Sequence, residues 1–256
     1  MDDIVNTPQK GGASPAWDLP FSVAVWFIVI ALTIGFCCAI ILCSAGLWWA
    51  DRKHTVAHRL ASCWGRAIFA CIPSWRLTVT GRHHIPRHRA VILVANHQSL
   101  LDIMAIFCLN RQFKWIAKDS LFRVPILGWA MAMCGYIRLV RGRHGSIRET
   151  YHQAQDWLAQ DVSVFLFPEG TRSTTGEMLP FKNGPFKLAV ETGVPVIPIT
   201  IRGTSELIQR GSWRFRPRAH VTVTVLPALS PAAKTDREFL RLKDATRRAI
   251  EQNVLL

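Results

Sequence analysis

The sequence predicts an α/β protein, a mixed sheet flanked by helices and preceded by an N-terminal membrane-anchoring helix or helical hairpin. After Pro73, short β-branched or apolar runs alternate with longer amphipathic patterns, as strands and helices do when they follow one another. Before it, the 32 residues between Asp18 and Asp51 carry no formal charge and are dense in Val, Ile, Leu, Phe, Ala and Cys. With 256 residues, 50% of them apolar, the chain can build one sizeable core plus an accessory segment, which excludes intrinsic disorder and a disulfide miniprotein. The expected division is a tail over residues 1–18, a membrane anchor over 19–73 and a cytoplasmic domain over 74–256.

The anchor comes first. At 1.5 Å per residue its charge-free run makes roughly 48 Å of helix against about 30 Å of bilayer hydrocarbon, enough to span with tilt or to enter and turn near Gly35 or Gly46. Asp2, Asp3 and a single Lys10 precede it, unlike the basic start and short apolar core of a cleaved signal, so it is expected to be retained. Arg52, Lys53, Arg59 and Arg66 follow, which by the positive-inside rule puts the remainder in the cytoplasm. A buried core helix is the alternative, but such helices seldom run this far without charge. Trp26, Trp48 and Trp49 suit the headgroup level. From His54 to Pro73, Leu60, Trp64, Ala67, Ile68 and Cys71 form one stripe with His58, Arg59 and Arg66 between, an interfacial helix that would make the anchor a hairpin.

In the body, strands are expected over residues 76–80, 90–95, 113–117, 136–140, 162–167, 196–201 and 220–226. A helix over 146–160 would set Ile147, Tyr151, Ala154 and Leu158 on one face, with Ser146 and Glu149 as a capping box. Residues 206–218 read as a basic, aromatic loop and those from 233 onward as a charged surface helix. No repeat or long linker marks a second globular domain. The seven cysteines, Cys37, Cys38, Cys43, Cys63, Cys71, Cys108 and Cys134, form no CxxC pair and lie in apolar surroundings, so reduced, buried thiols are expected. His83, His84 and His88 match no zinc spacing, and neither a metal nor another cofactor is expected.

Charge is unevenly spread. Lys and Arg outnumber Asp and Glu by 31 to 17, but residues 1–50 are net −2 and the remainder net +16. The body should therefore attract nucleic acid, an anionic membrane surface or a phosphorylated substrate, and charge alone does not choose among them.

Two segments carry candidate chemistry. The strand at 90–95 runs into Asn96-His97-Gln98-Ser99-Leu100-Leu101-Asp102, which sets a His and an Asp at the carboxyl end of a strand, where α/β proteins place ligands. On one ideal helix the two side chains would stand about 140° apart. If Ser99 caps the helix, His97 lies in the preceding turn and can fold back over Asp102 at the third helical position. Asp102 would then hold one imidazole nitrogen and leave the other as a general base. The plainer alternative is a Ser99–Asp102 capping box beside a turn histidine. The strand at 162–167 ends in Pro168-Glu169-Gly170-Thr171-Arg172-Ser173, followed by Leu179-Pro180-Phe181-Lys182-Asn183-Gly184. Pro and Gly fix a sharp turn, Arg172 offers a planar fork for a phosphate, Lys182 adds a point charge, and Glu169 stands where it can align Arg172 or another cation.

Together these segments resemble the glycerolipid acyltransferase family, whose bacterial members acylate lysophosphatidic acid. NHQSLLD with its His-x4-Asp spacing, FPEGTRS, PFKNG and Val194-Pro195-Val196-Ile197-Pro198-Ile199 occur in the family's order, over roughly residues 75–227. The resemblance implies that His97 is the base, that Asp102 orients it, and that Arg172 helps to hold the acceptor's phosphate. Lys118, in Ala117-Lys118-Asp119-Ser120-Leu121-Phe122, matches a family lysine that looks toward the phosphate, with Lys182 as a further cation. Asn96, Arg141, Glu169, Gly170, Thr171 and Gly184 complete the motifs. One position departs from the pattern: Gly135-Tyr136-Ile137-Arg138-Leu139-Val140-Arg141 has Val140 where the family commonly has Asp, and Arg138 is additional.

The implied enzyme is a 1-acylglycerol-3-phosphate O-acyltransferase. It would move a fatty acyl group from acyl coenzyme A or acyl carrier protein to the sn-2 hydroxyl of lysophosphatidic acid, giving phosphatidic acid for phospholipid biosynthesis. Its expected place is a bacterial inner membrane, with the catalytic domain on the cytoplasmic side and membrane lipids as partners. His97 would deprotonate the hydroxyl, with backbone amides near the helix start meeting the oxyanion. The chain has no G-x-S-x-G elbow, although Ser99 lies near enough to His97 to keep an acyl-serine route in view. Two other readings compete. One is the same chemistry on another lysolipid, such as a lyso-ornithine lipid, for which Val140 is the motive. The other is a membrane-anchored protein that binds nucleic acid through Arg210, Arg214, Arg216 and Arg218, with Trp213 and Phe215 between them.

Overall fold

The computed structural model describes residues 18–140, 144–173, 177–208 and 211–254. The tail over residues 1–17, Arg141 and Arg210 fall outside them. Helix α1 (Asp18–Gly46) passes straight through Gly35 and ends at Gly46, and α2 (Thr55–Cys71) packs back along it as the second arm of a hairpin. Ser22, Val25, Val29, Cys37 and Ile40 form the buried stripe of α1, while Leu19, Val23, Phe27, Ile30, Ile34 and Leu42 are exposed on its other side. By length and composition α1 is able to cross a membrane. Between the arms, the Asp51 carboxylate accepts the N–H groups of Thr55 and Val56 at 2.6 and 2.8 Å, satisfying donors at the start of α2 that have no partner within the helix. His58, expected among the polar residues of α2, is buried instead. Its ring takes partners from Tyr136 and the Arg111 carbonyl, because α2 is covered by the body on that side.

All seven expected strands are present in one sheet: β1 (Trp75–Thr80), β2 (Ile92–Ala95), β3 (Phe113–Lys118), β4 (Ile137–Leu139), β5 (Ser163–Leu166), β6 (Val196–Arg202) and β7 (Ala219–Val225), in the order β1-β7-β6-β2-β5-β3-β4. Every neighbouring pair is parallel except β6 with β7. Central β2 is apolar throughout and buried on both faces, as a covered parallel strand requires. Its alternate residues serve two cores. Val91, Leu93 and Ala95 face α1, α2 and α3 (Leu101–Phe107), and Ile92 and Val94 face α6 (His144–Ala159), α7 (Gly184–Thr192) and α9 (Asp236–Val254). At the edge, β1 and β7 pair side chain to side chain, Thr78 with His220 at 2.7 Å and Thr80 with Thr224 at 3.2 Å.

Helix α6 differs from expectation at its start. It begins at His144, so Ser146 already lies in the first turn; its Oγ accepts the Val140 N–H at 3.2 Å, and Glu149 pairs with Gln153 rather than closing a capping box. Ile147 consequently points to solvent, and Thr150 takes the inner position, donating to the Arg138 carbonyl. The cysteines are all free thiols, but only Cys37, Cys108 and Cys134 are buried; Cys38, Cys43 and Cys71 are exposed.

Candidate active site

The strand register brings the predicted segments to one edge. Val94 pairs with Leu166, Trp115 with Phe165 and Lys118 with Leu139, so β2, β5, β3 and β4 end side by side. Asn96, the residue after β2, is buried, and its amide donates to the Ile201 carbonyl at 2.9 Å and accepts the Ile201 N–H at 2.8 Å. It continues the ladder to β6 through its side chain, which frees the backbone to turn. An apolar residue there would leave both Ile201 groups buried without partners.

His97 stands in that turn. Its backbone is held from both sides by the segment after β5: the N–H donates to Glu169 Oε1 at 2.7 Å, and the carbonyl accepts the Ser173 N–H at 3.2 Å. The ring stacks on Phe167, with centroids 3.9 Å apart and planes 9° from parallel. Nδ1 meets Asp102 Oδ2 at 2.9 Å, while the imidazole keeps 15% of its surface open. With Nδ1 committed as the donor to Asp102, Nε2 is the nitrogen left to take a proton.

Asp102 is fully buried and accepts from four donors. Oδ2 takes the His97 ring and the N–H groups of Gln98 and Ser99 at 2.7 and 2.8 Å; Oδ1 takes the Thr204 hydroxyl. Helix α3 begins at Leu101, with Leu100 ahead of it and the Ser99 Oγ accepting the Leu101 N–H at 3.4 Å, so Asp102 is its second residue and not its third. The two competing sequence readings meet here, because one carboxylate oxygen both satisfies backbone donors ahead of the helix and holds the imidazole. A consequence follows for the chemistry. The amides of His97, Gln98 and Ser99 already donate to carboxylates, so these three are not free to meet an oxyanion.

Glu169 is buried, and its carboxylate joins two segments, since Oε2 accepts the Leu179 N–H at 2.8 Å while Oε1 holds His97. Burial pushes its carboxyl above the usual carboxylate range; the N–H bonds from Leu179 and His97 pull the other way. Gly170 follows at φ +73°, a left-handed conformation that closes the turn with its N–H on the Phe167 carbonyl. Thr171 is exposed and Arg172 half-buried beyond it. Lys182 lies alongside, its N–H on the Pro168 carbonyl at 2.8 Å and its side chain exposed. Lys118 ends β3 with its side chain exposed at the same sheet edge. Arg138 on β4 lies over the Phe122 ring at 4.8 Å. Gly184 opens α7 with nothing within 4 Å of where a Cβ would stand, so packing does not require glycine there.

Four supporting residues escaped the sequence reading. Thr204 follows β6 after Gly203 at φ +80°, again at a strand end. Phe167, which opens the FPEGTRS segment, stacks under the His97 ring. Arg247 on α9 donates to the carbonyls of Leu179 and Met178 at 2.9 and 3.1 Å, and Lys243 reaches Asn183 Oδ1 at 3.0 Å. The helix read as charged surface thus grips the segment that Glu169 also holds.

A family model described as Acyltransferase matches residues 76–202. A 1-acyl-sn-glycerol-3-phosphate acyltransferase of Chlamydomonas reinhardtii is 35% identical over 230 residues, 90% of this chain and 67% of that protein. A chloroplastic 1-acyl-sn-glycerol-3-phosphate acyltransferase of Arabidopsis thaliana is 32% identical over 224 residues, 86% of this chain and 62% of that one. The alpha form from Homo sapiens is 36% identical over 177 residues, 68% of this chain and 62% of that protein. The chain thus spans about two thirds or less of the length of these relatives. The crystal structure of the 1-acyl-sn-glycerophosphate acyltransferase PlsC from Thermotoga maritima superposes with a TM-score of 0.74 at 29% identity, covering 92% of this chain and 95% of that one.

Proposed function

Because the chain belongs to the acyltransferase family, we propose that it transfers a fatty acyl group from acyl coenzyme A or acyl carrier protein to the sn-2 hydroxyl of lysophosphatidic acid, forming phosphatidic acid. The observation that carries the mechanism is the His97–Asp102 pair at the end of β2. His97 Nε2 takes the hydroxyl proton as the acceptor oxygen attacks the thioester carbonyl. Asp102 stabilises the imidazolium and keeps the ring in the tautomer that presents Nε2. Collapse of the tetrahedral intermediate expels the thiolate, and the imidazolium returns the proton to it, so histidine ends the cycle neutral. Arg172, Lys118 and Lys182 supply the charge that recognises the acceptor's phosphate, Arg172 through a fork that binds two oxygens.

The exposed apolar face of α1 fits an anchor in the membrane that holds the lipid acceptor, with the catalytic body on the cytoplasmic side of a bacterial inner membrane. Assaying the purified protein with both donors against lysophosphatidic acid and lyso-ornithine lipid tests the assignment. Phosphatidic acid should form. Consumption of the ornithine lipid alone would move the acceptor assignment, as would a failure of Arg172→Ala to raise the acceptor KM.

A further inference from the structure

Residues 211–218, Gly-Ser-Trp-Arg-Phe-Arg-Pro-Arg, contain three arginines and no acid. The segment is fastened to α1. Trp26 Nε1 donates to the Trp213 carbonyl at 2.8 Å, Ser22 Oγ accepts the Phe215 N–H at 2.9 Å, and the buried Phe215 ring packs on Trp26 and Trp75. At its other end the Arg216 N–H donates to the Leu207 carbonyl, and the Arg216 carbonyl accepts from Trp75 Nε1. Leu207 closes the short helix α8 (Thr204–Leu207), whose first residue holds Asp102. Trp213, 47% exposed, and the exposed Arg214, Arg216 and Arg218 therefore belong to a segment fastened to α1 at Ser22 and Trp26, next along that helix to Leu19, Val23 and Phe27, which are exposed among the described residues, and tied through α8 to the catalytic pair.

Apolar helix, tryptophan and arginines succeed one another as hydrocarbon, interface and headgroups do in a leaflet. We propose that the 211–218 segment is a binding element for anionic phospholipid headgroups, which seats the catalytic edge against a negatively charged leaflet. The inference deepens the membrane reading above and rests on it. A lipid surface is favoured over single-stranded nucleic acid because the apolar face of α1 adjoining the arginines needs hydrocarbon to cover it, and a nucleic acid has none to offer.

Flotation of the full-length protein with vesicles tests this without any acyl donor, so a wrong acceptor assignment would not affect the readout. Vesicles of phosphatidylcholine alone are compared with equal parts of phosphatidylcholine and phosphatidylglycerol, at low and high sodium chloride. The variant Arg214→Gln/Arg216→Gln/Arg218→Gln keeps the backbone bonds to α1, Leu207 and Trp75. It should bind the mixed vesicles about a hundredfold more weakly, roughly fivefold per arginine, and bind the neutral vesicles as the parent does. High salt should erase most of the difference. Arg87→Gln/Arg89→Gln, in the loop before β2, should stay within about twofold of the parent, which separates local contact from net charge. Unchanged binding of the triple variant to mixed vesicles would overturn the proposal. So would an equal loss in the control, or arginine-dependent binding of single-stranded oligonucleotides with no preference for anionic vesicles.

Discussion

Glu169 accepts the backbone N–H of His97 at 2.7 Å, across 72 residues of chain. The base is thereby positioned from β5 as well as from its own strand, and the buried carboxylate has a second bond to Leu179 that fixes its rotamer. Glu169→Gln replaces one acceptor oxygen with an amide that faces an N–H donor. Hydrogen bonds to charged groups contribute about 1.5–3 kcal/mol, so kcat should fall roughly ten- to a hundredfold with a small change in KM, measured in steady state with saturating donor.

Thr204 reaches Asp102 on the oxygen that the imidazole does not use. Thr204→Val removes that donor and keeps the shape, leaving Oδ1 of a fully buried carboxylate without a partner. Turnover should drop about tenfold and stability by about 1–3 kcal/mol, readable in kcat and in denaturant unfolding. Thr204→Ser should restore most of both.

Arg247 holds the carbonyls of Met178 and Leu179, and Leu179 donates to Glu169. Arg247→Met should therefore reduce kcat by several-fold, and its effect should not add to that of Glu169→Gln. In a double-mutant cycle, coupling of about 0.5 kcal/mol or more is expected for residues joined through one segment, and strict additivity would show that α9 acts on packing alone.

Lys114 is fully buried, its Nζ donating to the carbonyls of Lys53 and Cys134 at 2.9 and 2.7 Å beneath the Trp157 ring. It ties the link between the hairpin arms to β3. Burial lowers its pKa to about 8, partly opposed by Cys134 and Asp51. Between that value and the ordinary lysine pKa near 10.4, the unfolded chain binds the proton and the folded one does not, so this group's contribution to stability rises with pH across the window. Relative to Lys114→Met, the parent should gain up to about 3 kcal/mol from pH 8 to about 10.5. A pH-independent difference between the two unfolding curves would contradict this.

Periodicity and strand composition made the sheet legible. All seven strands lie where apolar or β-branched runs predict them, because central strands buried on both faces leave an unbroken apolar signature. The helix starts were less legible. Ser99 and Ser146 both carry cap chemistry in sequence, yet Ser99 shares the start of α3 with Asp102, which satisfies the donors ahead of it, and α6 starts two residues before Ser146. His97, Asp102 and the Glu169 turn were visible because local spacing places each at a strand end. Thr204 and Arg247 were not, since their roles depend on partners 102 and 68 residues away that only the folded sheet brings near.

The most direct test of the account is turnover of His97→Ala, assayed in membranes with lysophosphatidic acid and a labelled acyl donor. Alanine retains the backbone bonds to Glu169 and Ser173, so the variant should fold and float with membranes as the parent does. Loss of the general base should then lower turnover by about a hundredfold to ten-thousandfold. Near-parental turnover in the folded variant would contradict the assignment of His97 as the base.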